Sequence, residues 1–222
     1  MNRRGRKSRD SENGELITRA AFELLMEKGY TDTSYADIAK RSGRTRSLVQ
    51  YYYPKKEGMI YDFALRLLQL TEDYLEEHSL GTDSCFTDFS VTGYMIFSFL
   101  LNNEDLRPLT TDITAQRGSS GPIIELMQGW VSNYDELSGF ETEEVLDAVL
   151  LSVGGAYELV YHHLKAGKPI DVPDLLKRTI AAFMFQLGFP TEEYEAEFES
   201  YLLSDEVLAD VYDYIRAHVC EP

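Results

Sequence analysis

Apolar positions recur at helical spacing along nearly the whole chain, and strand-type alternation does not persist in any segment. A first helix is predicted from about Ser11 to Lys28, with one apolar stripe along it. Gly29 follows at a position where a left-handed C-terminal cap is common. The pattern therefore predicts an all-α protein.

Two short helices are expected after this first one. Ser34 with Asp37 three residues later is typical of a helix start, and the second helix is predicted to close near Gly43. Thr45 is the expected N-cap of a third helix that Pro54 ends, because a proline removes a helical hydrogen bond.

The third predicted helix, residues 46–53, carries basic and amide side chains, with Leu48 or Val49 and Tyr53 facing inward. Three short helices with a glycine turn between the second and third form a helix-turn-helix unit. Residues 42–58 combine arginines, lysines, hydroxyls and three tyrosines, side chains suited to phosphate. Taken alone, such a segment is equally well explained as a solvated helix face.

Net charge divides the chain into two parts. Its total is −17, yet residues 1–60 hold 13 Lys and Arg against 8 Asp and Glu, while residues 61–222 hold 8 against 30. This asymmetry is typical of a nucleic-acid-binding segment joined to another domain.

Residues 1–10 are read as a flexible basic arm without fixed structure. Two roles fit it: an arm that reaches DNA, or a solubilising tail. The residues assigned to the DNA arm are Arg3, Arg4, Arg6 and Lys7.

The remaining residues predict a larger helical domain over 57–222, beyond the helix-turn-helix unit at 11–56. Residues 191–222 carry ten acidic side chains against one basic, but their apolar positions keep helical spacing, so two extra amphipathic helices are expected there, with an extended dimer interface as a sharper hypothesis. The predicted long helices are Glu57 to about Leu80, Phe86–Leu101, Leu106–Ile113, Pro122–Tyr134, Glu143–Lys165 and Pro173–Leu187.

Several functional classes find no support in the sequence. Gly118 to Gly121 lacks the context of a phosphate loop and is read as a loop, and the adjacent His162 and His163 are read as helix-end residues rather than metal ligands. No catalytic motif, metal site, cofactor site or membrane span is evident, so we expect a cytoplasmic non-enzyme without cofactor. An enzyme carrying a helix-turn-helix appendage is the competing hypothesis.

The segment EKGYTDTSYADIAKRSGRTRSLVQYYYPKKEGMI resembles the DNA-binding domain of the TetR family of bacterial transcriptional regulators. The resemblance covers roughly residues 14–61; the rest of the chain shows the family's general helical plan. Departures from the commonest pattern fall on or beside the third helix, so the DNA sequence cannot be inferred. Matching features are residues 27–30, Thr33 with Ser34, residues 37–39, Gly43, the three tyrosines, and Pro54 with Lys56 and Glu57.

The resemblance implies which residues meet a double-stranded DNA operator. Base reading is assigned to Arg46, Ser47 and Gln50. Phosphate contact is assigned to Thr33, Ser34, Thr45, Tyr51, Tyr52 and Lys56. Arg44 is an added charge without an assigned role.

The same resemblance implies a homodimer joined by the helices at 143–165 and 173–187, and a small-molecule inducer bound in the helical domain. The alternatives are that these helices only close the monomer's core and that the aromatic residues form packed core. Candidate cavity residues are Phe89, Tyr94, Phe97, Met127, Trp130 and Tyr157. The expected function is a repressor released by its inducer; the alternative is a regulator without a small-molecule ligand, controlled by protein contact.

Overall fold

A computed structural model of the protein describes residues 3–80, 84–115 and 117–221. These residues form eleven α-helices joined by turns and three short 3-10 segments, and no strand occurs among them. The all-α prediction is confirmed. The helices are α1 Arg3–Asp32, α2 Tyr35–Ser42, α3 Arg46–Tyr52, α4 Glu57–Glu77, α5 Cys85–Asn102, α6 Arg107–Ala115, α7 Arg117–Val131, α8 Thr142–Ala166, α9 Val172–Gln186, α10 Glu192–Glu197 and α11 Asp205–His218.

Helix α1 departs from the prediction at both ends. It begins at Arg3, so the backbone of residues 3–10 is helical rather than an unstructured arm. Arginine and lysine are good helix formers, and adding residues to an existing helix needs no new nucleus. Near its other end Gly29 has φ 82° and ψ 178°, which interrupts the helix one residue after its predicted end, but instead of a left-handed cap a last short turn follows to Asp32.

The segment predicted as a loop around Gly118 is helical, because α7 begins at Arg117. Glycine and serine weaken a helix by at most about 1 kcal/mol each, so the tertiary setting of a 15-residue helix outweighs their propensity.

Two large groups of buried apolar residues hold the helices together. The first is continuous from the helix-turn-helix unit into the rest of the chain, since Ile17 and Val49 belong to the same cluster as Phe63, Phe99 and Ile215. The second joins α5 and α7 to α10 and includes Phe183 and Phe198. The helix-turn-helix unit therefore shares a hydrophobic core with the helices that follow it.

The acidic C-terminal segment packs on the body as helices, as expected. Leu208, Val211 and Ile215 of α11 are buried, and its polar side chains add contacts with earlier helices. The Tyr74 hydroxyl of α4 donates to Asp210 at 2.7 Å, and the Arg19 guanidinium of α1 donates to the Cys220 carbonyl at 3.2 Å. The apolar stripe of α11 is thus covered within one chain. Across the described ranges, none of the helices has the length and apolar character needed to cross a bilayer.

Candidate nucleic-acid interface and ligand cavity

The geometry of α2 and α3 follows from local signals in the sequence. The Ser34 hydroxyl accepts from the Asp37 backbone N–H and the Asp37 carboxylate accepts from the Ser34 N–H, which forms the predicted capping box. Gly43 ends α2 in the left-handed region at φ 65°, and Thr45 caps α3 by accepting from the Leu48 N–H. These caps fix where α3 begins and how it leaves the turn.

One side of α3 is anchored and the other is open to solvent. Val49 is fully buried and Tyr53, just after the helix, is nearly so. The three residues assigned to base reading, Arg46, Ser47 and Gln50, are all exposed. Their spacing of one and four residues puts them on one surface of the helix. A helix presenting such a surface has the size and chemistry that enter a major groove.

The tyrosines differ in their environments. Tyr51 is 75% exposed, whereas Tyr52 is half-buried and packs edge-on against Tyr51, with 5.5 Å between ring centroids. The Tyr52 ring also lies against Gly14 of α1, since a β-carbon there would come within 3.1 Å of it. Tyr51 and Thr45, two of the residues predicted to contact phosphate, are both exposed and flank Arg46, Ser47 and Gln50 along the chain.

Thr33 is not available as a phosphate contact through its side chain. It is 1% exposed, and its hydroxyl contacts the carbonyl oxygens of Gly29 at 2.7 Å and Leu24 at 3.1 Å. A helix that breaks leaves carbonyl groups without partners, and Thr33 satisfies them. Ser34 is exposed but its hydroxyl also donates to Asp37 at 2.7 Å.

Lys56 is likewise engaged inside the protein. Its ammonium donates to the backbone carbonyl oxygens of Tyr30 and Thr31 and lies 4.1 Å from the centroid of the Tyr30 ring. Desolvation lowers the pKa of Lys56 below its ordinary value. The Lys56 ammonium thus lies at the C-terminal end of α1 and offsets the partial negative charge of its last carbonyl groups.

Several polar contacts that the sequence did not reveal hold the unit together. Arg41 of α2 pairs with Glu27 through two bonds of 2.8 Å and with Glu23 at 3.1 Å. This pairing raises the pKa of Arg41 and lowers that of Glu27. Arg44, which had no assigned role, donates to the Asn13 side chain at 2.6 Å and so ties the turn to α1. For the arm residues Arg3, Arg4, Arg6 and Lys7, the side chains lie outside the described part of the structure.

A cavity of about 150 Å³ lies among helices α4 to α9. Five of the six candidate residues line it: Phe89, Phe97, Met127, Trp130 and Tyr157. Tyr94 does not, because one residue of an α-helix corresponds to a rotation of 100° and the lining face of α5 runs through its neighbour Gly93. Apolar lining residues that the sequence did not single out include Ile60, Phe63, Leu67, Ile96, Ile113, Ile123, Leu176 and Ile180.

Helix α6 contacts both the cavity and the DNA-side helices. Thr110, Ile113 and Thr114 line the cavity from this helix. From another side of the same helix, the Asp112 carboxylate accepts from the Thr31 backbone N–H of α1 at 2.7 Å. Gly29 sits close to Pro108 and Asp112, leaving no room there for a side chain. A displacement of α6 would therefore act directly on the end of α1.

The outer face of α8 and α9 is apolar and uncovered. Leu151 is 62% exposed and Phe185 is 74% exposed, with Leu150 and Leu159 also exposed. A β-carbon on Gly155 would meet no atom within 4 Å, so no other helix among the described residues approaches it closely. The small residues Ala148, Ser152 and Ala156, by contrast, face the monomer's own interior.

The adjacent histidines have ordinary contacts. His162 lies 3.1 Å from Glu158, and the ring of His163 contacts the Pro169 carbonyl at 2.9 Å. Within the described residues, no group of side chains is arranged to hold a metal ion.

Comparisons with known proteins agree with this geometry. Residues 17–62 match the family model described as "Bacterial regulatory proteins, tetR family". Two relatives from Bacillus subtilis (strain 168) are similar over part of their length. One is the uncharacterized HTH-type transcriptional regulator YdgC, 29% identical over 104 residues, 45% of this chain and 53% of the relative. The other is the uncharacterized HTH-type transcriptional regulator YvdT, 32% identical over 73 residues, 33% of this chain and 38% of the relative. The chain thus spans about half or less of these relatives.

The likeness in fold extends further than the likeness in sequence. The crystal structure of full-length TylP, described as a TetR regulator from Streptomyces fradiae, aligns with a TM-score of 0.55 over 96% of this chain and 94% of that protein, at 18% identity.

Proposed function

Because its DNA-binding domain belongs to the TetR family of bacterial regulators, we propose that this chain is a homodimeric transcriptional repressor released from a pseudo-palindromic operator by a small-molecule inducer. The observation that carries the proposal is the double contact of α6, which forms a wall of the cavity and also bonds to α1 through Asp112.

DNA binding is supported by the open surface of α3. Arg46 suits guanine and Gln50 suits adenine in the major groove, Ser47 lies beside Arg46, and Tyr51 and Thr45 are placed for the backbone. We drop Thr33 and Lys56 from the proposed phosphate contacts, because both side chains are bonded to carbonyl groups. Operator affinity is expected to fall steeply with rising salt.

Dimerisation is supported by the exposed apolar side chains on α8 and α9. We propose that a second copy of the chain covers Leu151 and Phe185, with the open backbone at Gly155 allowing close approach of helices. Two α3 helices held in this way would meet successive half-sites on one face of the DNA.

Release follows from linkage between the two sites. A ligand that enters the cavity and prefers a shifted α6 would also shift the end of α1, and the operator-competent arrangement would lose population. By reciprocity, operator binding would weaken the affinity for the ligand by the same factor.

The DNA assignment is tested by footprinting the protein on DNA flanking its own gene, followed by binding measurements on the protected site. Arg46→Ala and Gln50→Ala should each weaken binding by about 1 to 3 kcal/mol and relax the preference at one base pair. Lys168→Ala, which removes an exposed positive charge from the other domain, is the matched control and should leave affinity unchanged. If neither α3 variant alters recognition, the assignment of base readers is wrong.

The dimer is tested by light scattering coupled to size-exclusion chromatography. Leu151→Glu combined with Phe185→Glu should yield a folded monomer, whereas Ala36→Glu, at an exposed site on α2, should leave the dimer intact. A double variant that stays dimeric would place the interface elsewhere.

A further inference from the structure

The cavity is lined almost entirely by apolar side chains. Among the residues that the structure describes, the lining contains no Asp, Glu, Lys, Arg or His, and nearly all of its surface is contributed by aliphatic and aromatic side chains. A charged group buried there would lose its hydration without gaining an ion-pair partner, which is strongly unfavourable. An apolar cavity of about this volume is known to hold a molecule the size of benzene.

Apart from the indole N–H of Trp130, the polar side-chain groups of the lining residues are hydroxyls, and most of them are already paired. Thr110 bonds to the Leu106 carbonyl, Thr114 to Thr110, Ser152 to Ala148, and Thr179 to Leu175. Such bonds to the preceding helical turn use the hydroxyl's only hydrogen.

Two lining hydroxyls differ from the rest. Tyr157 of α8 and Thr92 of α5 make no hydrogen bond to any residue in the described ranges. Burial raises the pKa of Tyr157, so its hydroxyl keeps its proton and remains a donor at neutral pH. A hydroxyl that lines an apolar cavity and has no bond within the protein can donate to a ligand that supplies an acceptor, and that bond strengthens the complex.

We propose that the cavity binds an uncharged, mainly apolar molecule of about the size of a monocyclic aromatic compound, with one hydrogen-bond acceptor placed for Tyr157 and Thr92. The chemical class of this ligand is inferred from the cavity alone. Its role as the inducer rests on the proposed function. Carboxylates, phosphate esters and amines in their charged forms are excluded by the lining.

The chain contains a reporter for this site. Its single tryptophan, Trp130, lines the cavity, and the indole N–H donates to Glu72 at 2.8 Å, which holds the ring in place. Ligand entry should change the emission of this residue, so binding can be measured without DNA.

The test titrates the full chain with four compounds built on one ring: toluene, benzyl alcohol, benzoate and benzylammonium, at pH 7. Toluene and benzyl alcohol should saturate the Trp130 signal, and the two ions should bind more than about 100-fold more weakly, because an unpaired buried charge costs several kcal/mol. Benzyl alcohol should bind about 3- to 10-fold more tightly than toluene, as expected for one added hydrogen bond.

Tyr157→Phe should remove most of the advantage of benzyl alcohol while leaving toluene binding unchanged. Tyr194→Phe is the matched control: it removes the same hydroxyl from another tyrosine of the helical domain, but Tyr194 bonds to Ser90 at 3.0 Å and does not line the cavity, so all four affinities should stay unchanged. Tight benzoate binding, absence of response to both neutral compounds, or an unchanged preference in Tyr157→Phe would overturn the proposal.

Operator release is measured separately with the same compounds. Binding without release would refute the ligand-responsive function and leave the chemistry of the cavity intact. Release by benzoate but not by benzyl alcohol would keep the regulator and refute the ligand class proposed here.

Discussion

Substitution of Gly29 by alanine should destabilise the protein more than substitution of any glycine that merely ends a helix. Gly29 has φ 82° and ψ 178°, a region that is almost restricted to glycine and costs another residue about 1 to 3 kcal/mol. An added β-carbon would lie 3.1 Å from the Pro108 carbonyl carbon and 2.9 Å from the Asp112 carboxylate. Helix α6 would have to move, which weakens the bond from Thr31 to Asp112 by about 1 kcal/mol more.

Gly43→Ala provides the matched control for this effect. Gly43 also has positive φ, at 65°, but no atom lies within 4 Å of the position its β-carbon would take. Alanine there should cost only the left-handed backbone term, about 1 to 2 kcal/mol. Together the two terms predict about 2 to 4 kcal/mol for Gly29→Ala.

Urea unfolding followed by circular dichroism measures both variants against the parent chain. The loss for Gly29→Ala should exceed the loss for Gly43→Ala by about 1 kcal/mol, the amount that the contact with α6 adds to the cost of the backbone conformation. Equal losses of unfolding free energy would mean that α6 can move away from Gly29 without energetic cost. That result would contradict the predicted clash and weaken the proposed coupling between the cavity and the DNA-binding helices.

Three further predictions concern the helix-turn-helix unit. Ser34→Ala removes the cap of α2 and should lower the free energy of unfolding by about 1 kcal/mol in the same urea assay. Lys28 and Ser34 hold the pKa of Asp37 at about 2, below its ordinary value of 3.8, so the stabilisation from this carboxylate is full above about pH 4 and is lost as the pH falls towards 2. The stability difference between the parent chain and Asp37→Asn should therefore shrink between pH 5 and pH 2.5; a constant difference would contradict the assignment. Tyr53→Phe removes the donor to Asp62, at 3.0 Å, and should cost about 1 to 2 kcal/mol, since the half-buried carboxyl loses its partner; no change in the urea midpoint would contradict this role.

The helix-turn-helix unit could be predicted because its signals are local. The Ser34 and Asp37 pair, the glycine at 43 and the threonine at 45 each act within four residues of their own position, and the structure confirms all three. The exposure of Arg46, Ser47 and Gln50 on α3 agrees with the same helical register, and their role in base reading remains a proposal.

Two of the predicted phosphate contacts differ from the structure because their side chains bond to backbone carbonyl groups at the end of α1. Thr33 and Lys56 look available for phosphate in sequence, yet both satisfy carbonyl groups left open by the break at Gly29. Nothing in their immediate neighbours indicates that destination. The arm predicted as unstructured is helical in its backbone because α1 extends through it, and composition alone does not detect such an extension.

The cavity could be predicted only in outline. Aromatic residues on α5 and α7 suggested it, but Phe97 lines it and Tyr94 does not, a distinction of rotation around one helix that apolar composition does not specify. The role of α6, and of Asp112 in particular, depends on how two helices far apart in sequence meet. Packing decides that, and the chain offers no local signal for it.

The position of α11 has a consequence for how the protein is made. Its bonds to earlier helices join residues 136 to 201 positions apart: Tyr74 to Asp210, Arg66 to His218 and Arg19 to Cys220. At a translation rate of about 5 to 20 residues per second, Arg66 and Tyr74 of α4 leave the ribosome roughly 7 to 30 seconds before their partners are synthesised. Through that interval the apolar surface of α4 that α11 later covers is open to solvent and to chaperones. The nascent DNA-binding end of the protein therefore acquires its complete packing only when the last helix has emerged.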